Sequence, residues 1–301
     1  MAGVNAASAD SQRLRAREPM TPDQRPAGAF SDPDLLRRIA SALVLVPVAI
    51  AVAWFGGWPF AAFWLAAAIA VLWEWNRLVQ TDAPPTLLAG EIAALIAAVV
   101  LIRYFLNPGF GLVALGIGTG FALAFSPAGV SRWAITGLVY AAAVVAGPVI
   151  LRDDATYGFV AILWLFAVVW GTDVGAYFAG RAIGGPKLWP RLSPKKTWAG
   201  FIGGTLIGSA LGCAIVKAAG LPVGLGLILV TLAVAALSQA GDLFESAVKR
   251  RFEAKDAGGL IPGHGGVMDR LDGFLVAAIV AALIGLARGG FANPAAGILI
   301  W

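Results

Sequence analysis

Cysteine and histidine are nearly missing from this chain, which holds one of each in 301 residues, Cys213 and His264. A lone thiol excludes an intrachain disulfide and leaves zinc without a thiolate set. Cys213 lies inside an apolar stretch and reads as a small packing residue. Charge is scarce as well. Asp, Glu, Lys and Arg make up 13% of the sequence, against about a quarter in ordinary globular chains. So few charges cannot clothe a water-facing surface when 59% of the residues are hydrophobic. The chain also lacks the apolar–polar alternation of a membrane barrel. Its apolar runs are continuous and roughly 20 residues long, enough to cross a hydrocarbon core as helices with every backbone group paired internally. No internal repeat is visible, which argues against the paired halves of many ion-coupled transporters. The net charge of +5 calls for no nucleic-acid partner, because excess Lys and Arg in such a chain records topology.

Nine spans are predicted, near 37–55, 58–79, 86–104, 109–126, 132–151, 156–180, 197–218, 222–248 and 271–288. The expected fold class is therefore all-α, a polytopic membrane protein with about nine transmembrane helices. Residues 1–35 form a separate tail, rich in Ala, Ser, Asp, Arg and Pro, that is expected to be disordered; 36–301 form the transmembrane catalytic domain. The tail lacks the short apolar core and small-residue cleavage site of a signal peptide. With the N-terminus in the cytosol, 18 of the 22 Lys and Arg fall on the cytosolic side, leaving Arg103, Arg152, Lys217 and Arg288 opposite. That bias fixes the expected orientation. The connections 181–196 and 249–270 are the longest and most charged on the cytosolic side, so chemistry is sought there.

Acids within or at the ends of spans are costly, by about 2.5–3.5 kcal/mol at mid-span. The eighth span ends Ser238-Gln239-Ala240-Gly241-Asp242-Leu243-Phe244-Glu245-Ser246-Ala247-Val248-Lys249. Asp242, Glu245, Ser246 and Lys249 share one helical face. A surface pair of Glu245 with Lys249 is the plainer reading, but it leaves Asp242 and Ser246 unexplained. The ninth span opens Gly263-His264-Gly265-Gly266-Val267-Met268-Asp269-Arg270-Leu271-Asp272. Asp269 and Asp272 fall on one first turn, where acids also serve as caps. Gly265 and Gly266 let backbone N–H groups approach a phosphate. Three carboxylates, a glycine turn and the adjoining basic side chains, Arg270 among them, suggest Mg2+ held for phosphate chemistry. His264 reads as a phosphate or orienting contact, since a phosphate monoester is already largely ionised near pH 7. Ser193-Pro194-Lys195-Lys196-Thr197 is an anion-binding candidate, although the lysines also suit topology anchors and Trp198 an interface anchor. Asp173 and Tyr177 share a face near the end of the sixth span, where an acid is functional or pairs with a neighbouring base. Gly200, Gly204, Gly208 and Gly212 form a stripe for close helix packing.

The run Ser246-Ala-Val-Lys249-Arg250, then Lys255-Asp256-Ala-Gly258, then Ile261-Pro262-Gly-His264-Gly265-Gly266-Val-Met-Asp269-Arg270-Leu-Asp272 resembles the signature of the phosphatidate cytidylyltransferases, the CDP-diacylglycerol synthases. The Ser193–Trp198 block and the block from Asp173 to Arg181 resemble that family too, in the expected order. Ala199 departs from it, standing where the family usually has Glu or Gln. The resemblance covers roughly the last 130 residues closely. It implies that CTP and phosphatidic acid give CDP-diacylglycerol and pyrophosphate by in-line attack of the lipid phosphate on the CTP α-phosphorus. It further implies metal binding by Asp242, Asp269 and Asp272, with Lys249, Ser246, His264, Lys195 and Lys196 on phosphates. The expected catalytic set is Asp269, Lys249 and Asp242, and the expected cofactor is one or two Mg2+ ions, with a monovalent ion also admitted. Expected partners are the two substrates, the lipid bilayer and a second copy of the chain in a homodimer, with no nucleic acid. The expected location is the cell (inner or plasma) membrane, multi-pass, with the active site on the cytosolic face. Competing readings are a CTP-dependent polyprenol or phytol kinase and, further off, an ion-coupled transporter or a CDP-alcohol phosphotransferase.

Overall fold

The computed structural model describes residues 33–79, 84–105, 108–127, 129, 131–254, 256–260 and 265–301. His264, Lys255 and most of the expected disordered tail, residues 1–32, lie outside them. Ten helices follow in order: α1 (Pro33–Phe55), α2 (Gly57–Val79), α3 (Pro85–Phe105), α4 (Pro108–Phe125), α5 (Ser131–Arg152), α6 (Gly158–Ile183), α7 (Trp198–Ala218), α8 (Leu225–Arg251), α9 (Met268–Gly289) and α10 (Pro294–Leu299). Each predicted span falls on one of the first nine. Among the described residues seven of them, α2, α3, α5, α6, α7, α8 and α9, are long and apolar enough to cross a membrane, and the apolar stretches described in α1 and α4 are Leu43–Phe55 and Phe110–Phe125. The last three residues of the expected tail are helical, because α1 opens at Pro33, a residue suited to a first helical turn.

Among the described residues the architecture is all-helical but for one hairpin between α6 and α7. Strand β1 (Lys187–Trp189) pairs antiparallel with β2 (Ser193–Thr197), setting Lys187 opposite Thr197 and Trp189 opposite Ser193. The segment was expected as a loop, since a short charged strand containing a proline carries little propensity signal. Trp198 N donates to Pro186 O at 3.1 Å and closes the base of the hairpin.

Packing explains where the glycines went. A Cβ on Gly204 or Gly208 would run into the α6 backbone and side chain at Thr172, and one on Gly200 into the carbonyl of Ala176. The stripe on α7 therefore lets two backbones touch, as predicted. The main apolar core joins α2, α5, α6, α8 and α9, and a small separate cluster packs Leu87, Ala122 and Ala134 between α3, α4 and α5. The aromatic centre of the main core stacks Trp64 on Phe274 at 4.8 Å and Trp75 on Tyr140 at 5.2 Å. The chain alternates direction, so the end of α6, the start of α7, the end of α8 and the start of α9 meet at one end of the bundle.

Candidate active site

At that end the four helices and the hairpin enclose a cleft of about 740 Å³. Its walls carry Asp173, Tyr177 and Arg181 from α6, Lys195, Lys196 and Thr197 from β2, Asp242 and Lys249 from α8, and Asp256, Asp269, Arg270 and Asp272 from the signature loop and α9. Asp242 and Asp269, on different helices, thus share one cavity. Ser193, Ser246, Gly265 and Gly266 are not part of its wall.

The approach of α8 to α9 sets the aspartates. A Cβ on Gly241 would strike the Asp272 carbonyl, and one on Gly273 would stand 2.9 Å from the Ser238 carbonyl. Each glycine is the immediate chain neighbour of an aspartate, Gly241 of Asp242 and Gly273 of Asp272. Backbone contact at these two points brings both carboxylates into the cleft, where Asp173, Asp242 and Asp272 lie close enough to repel one another.

Lys249 reaches two acids at once, Asp269 at 2.6 Å and Glu245 at 3.0 Å. Glu245 is fully buried, so it is no surface pair. Both of its carboxylate oxygens lack a hydrogen bond of good geometry, and Asp272 is close to it on the cleft side. Asp269 is more committed. Besides Lys249, it accepts at Oδ2 from Ala257 N and Gly266 N, both at 3.0 Å. Its carboxylate is the nail on which the signature loop hangs. The Gly266 amide is consequently turned toward Asp269, while Gly265 holds a left-handed turn at φ +83° that favours glycine.

On the opposite wall Lys196 forms an ion pair with Asp242. The Thr197 hydroxyl caps α7 by accepting from Gly200 N at 3.1 Å, a structural use for a side chain predicted to meet phosphate. Tyr177 accepts at its hydroxyl from Arg181 at 3.1 Å. Gln239, on the polar stripe of α8, donates to Phe201 O and Thr205 Oγ1, both at 3.0 Å, and ties α8 to α7.

The donor set suits a hard cation. Among the described residues no group of three His, Cys, Asp or Glu is preset around one point. Mg2+ asks for less, since it takes one or two carboxylates and completes its shell with water and substrate phosphates. Asp242 and Asp272 meet that demand. Five aspartates on the wall face five cations, Arg181, Lys195, Lys196, Lys249 and Arg270; a nucleotide would add only negative charge, which a divalent ion offsets.

Sequence reasoning missed Glu74. This residue of α2 is fully buried and accepts backbone N–H groups from Val267 at 3.1 Å and Met268 at 2.8 Å. An acid within an apolar run was the available signal; its partner 193 residues away was not.

The sequence model of the Cytidylyltransferase family matches residues 36–287. The chain belongs to the cytidylyltransferase family. It is similar to the phosphatidate cytidylyltransferase of Brucella suis biovar 1 (strain 1330), 41% identical over 265 residues that cover 87% of this chain and 96% of that protein. The phosphatidate cytidylyltransferase of Bacillus subtilis (strain 168) is 45% identical over 126 residues, 42% of this chain and 47% of that one. Its counterpart in Staphylococcus saprophyticus is 42% identical over 126 residues, 42% and 48% of the two chains. Both the shorter matches and the long one are to the same type of cytidylyltransferase.

Proposed function

We propose that this member of the family joins CTP to phosphatidic acid, giving CDP-diacylglycerol and pyrophosphate, at the cytosolic face of the cell membrane. The observation that carries the reading is the convergence, in one cleft at one end of an apolar bundle, of the signature residues of α8 and α9 with Lys195 and Lys196. A lipid phosphate reaches such a cleft from the bilayer and a nucleotide reaches it from water. The Lys and Arg bias of the two flanking connections supports the cytosolic orientation.

An oxygen of the phosphatidate phosphate attacks the α-phosphorus of CTP. A new P–O bond forms, the bond to the β-phosphate oxygen breaks, and pyrophosphate leaves with the electron pair. The nucleophile is ionised near neutral pH, so no strong base is required. Lys195 and Lys196, on the hairpin, and Arg270, on α9, bind phosphate oxygens from opposite walls. Lys249, locked between Glu245 and Asp269, presents a fixed positive charge where negative charge builds up in the transition state. Asp242 and Asp272 would hold Mg2+, which would supply charge neutralisation for the triphosphate.

Purified protein in lipid vesicles, given labelled CTP, phosphatidic acid and Mg2+, is expected to place cytidine in the lipid fraction. Removal of divalent ions with EDTA is expected to stop it, and added Mg2+ to restore it. A phosphorylated alcohol as product would replace this reading with that of a CTP-dependent lipid kinase.

A further inference from the structure

The cleft is built by the second half of the chain, yet one of its supports comes from the first. Glu74 lies near the end of α2 and does not line the cavity. A fully buried acid on a membrane-spanning helix needs a compensating partner, and here the partner is the N-terminus of α9. That helix has no cap of its own, because the residue at its N-cap is Val267, with no side-chain hydrogen bond. Glu74 takes over the role. Its two oxygens accept separately, Oε1 from Val267 N and Oε2 from Met268 N.

Two glycines of the signature loop make room for this. A Cβ on Gly258 would stand 2.5 Å from Glu74 Oε1, and one on Gly266 would stand 2.7 Å from Oε2. The loop is thus gripped by two carboxylates, Asp269 on Ala257 and Gly266, and Glu74 on the two residues that follow. Gly266 joins the grips, since its amide serves Asp269 and its missing side chain admits Glu74. Asp269 in turn holds Lys249.

We infer that Glu74 is a positioning residue for the transfer reaction, a cap supplied from α2 that sets the start of α9 and, through Asp269, the place of Lys249. The inference rests on the function proposed above for the cleft. Displacement of a reacting group by about 1 Å can cost about 100-fold in rate, and the loss belongs in kcat because Glu74 touches no substrate.

The test compares full-length wild type, Glu74→Gln and Gly258→Ala, with Glu91→Gln as control. Glu91 is also fully buried, on α3, and accepts from Asn76 at 2.6 Å, away from the loop. A glutamine at 74 keeps one acceptor and turns an amide toward the other N–H. Glu74→Gln is expected to cut kcat about 10–100-fold while KM for CTP moves less than about threefold. Backbone amides over 256–260 and 265–268 should exchange hydrogen faster, with those of α6 and α7 unchanged. Glu91→Gln should stay within about twofold of wild type. Should Glu74→Gln fail to insert, Gly258→Ala presses on the same contact from the loop side and is expected to give the same kcat-selective loss. Unchanged kcat, an equal rise in KM, or exchange that quickens everywhere would overturn the inference. A wild type that makes no cytidine-bearing lipid would overturn the proposed function instead, while the exchange data still decide the brace.

Discussion

Asp242 and Asp269 face the same cleft but are held in different ways, and that difference separates their roles. Asp242 is partly open to solvent and pairs with Lys196. Asp269 is nearly enclosed and holds Lys249 together with two backbone amides. Asp242→Asn is therefore expected to lose turnover about 100-fold or more with little change in thermal stability. Asp269→Asn should lose turnover and also about 1–3 kcal/mol of stability, because the amide keeps one acceptor oxygen and turns an NH2 group toward either Lys249 or the two backbone amides. Kinetics and melting of the two variants in one detergent check this; equal melting temperatures would contradict the anchoring role of Asp269. At this scale the sequence was generous about which residues matter and silent on how each is used. Spacing places Thr197, Gly266 and Asp269 near a phosphate site, but only the folded chain has the first capping α7 and the other two bonded to each other. Glu245 was weighed as half of a surface pair with Lys249, since helical spacing cannot tell a face turned to water from one turned to a neighbouring helix.

Between elements, the decisive contact is the touch of α8 on α9 at Gly241 and Gly273. A methyl group at either position meets a carbonyl of the facing helix, and displacement of reacting groups by about 1 Å can cost 100-fold in rate. Gly241→Ala is accordingly expected to cut kcat about 10–100-fold while the protein still inserts. Gly116→Ala on α4, where nothing stands within 4 Å of the added Cβ, should leave turnover unchanged and serves as the comparison. Comparable kcat in the two variants would mean that α8 and α9 tolerate separation. Helix limits were largely readable, because continuous apolar runs bounded by charge leave few alternatives: 132–151 was expected and Ser131–Arg152 is found. The misses lie where helices leave the apolar layer. The eighth span, 222–248 by hydropathy, continues to Arg251, and the ninth, apolar from 271, starts at Met268 with Asp269 and Asp272 on its first turn as the spacing implies. Hydropathy reports the solvent, whereas helical hydrogen bonds continue into polar sequence. The hairpin at 187–197 escaped for the converse reason, being paired backbone in a segment whose side chains all suggest a loop.

Taken whole, the molecule has one polar end where the chemistry is gathered and another closed by α10 and its neighbours. Orientation can be tested without activity. In a Cys213→Ser background, Lys187→Cys and Lys217→Cys place exposed thiols at opposite ends of α7. A membrane-impermeant maleimide is expected to label position 187 only from the cytosolic side and position 217 only from the other. Reversed labelling would invert the proposed orientation. The bond from Glu74 to the start of α9 bears also on assembly. Its carboxylate enters the bilayer early in synthesis, yet the amides that satisfy it are made 193 residues later. Until α9 is made, the acid lacks these two donors, so the pairing of α2 with α9 is expected to come late in assembly. A chain halted after α8 would hold most of these helices but lack Asp269, Arg270 and Asp272, and is expected to be inactive.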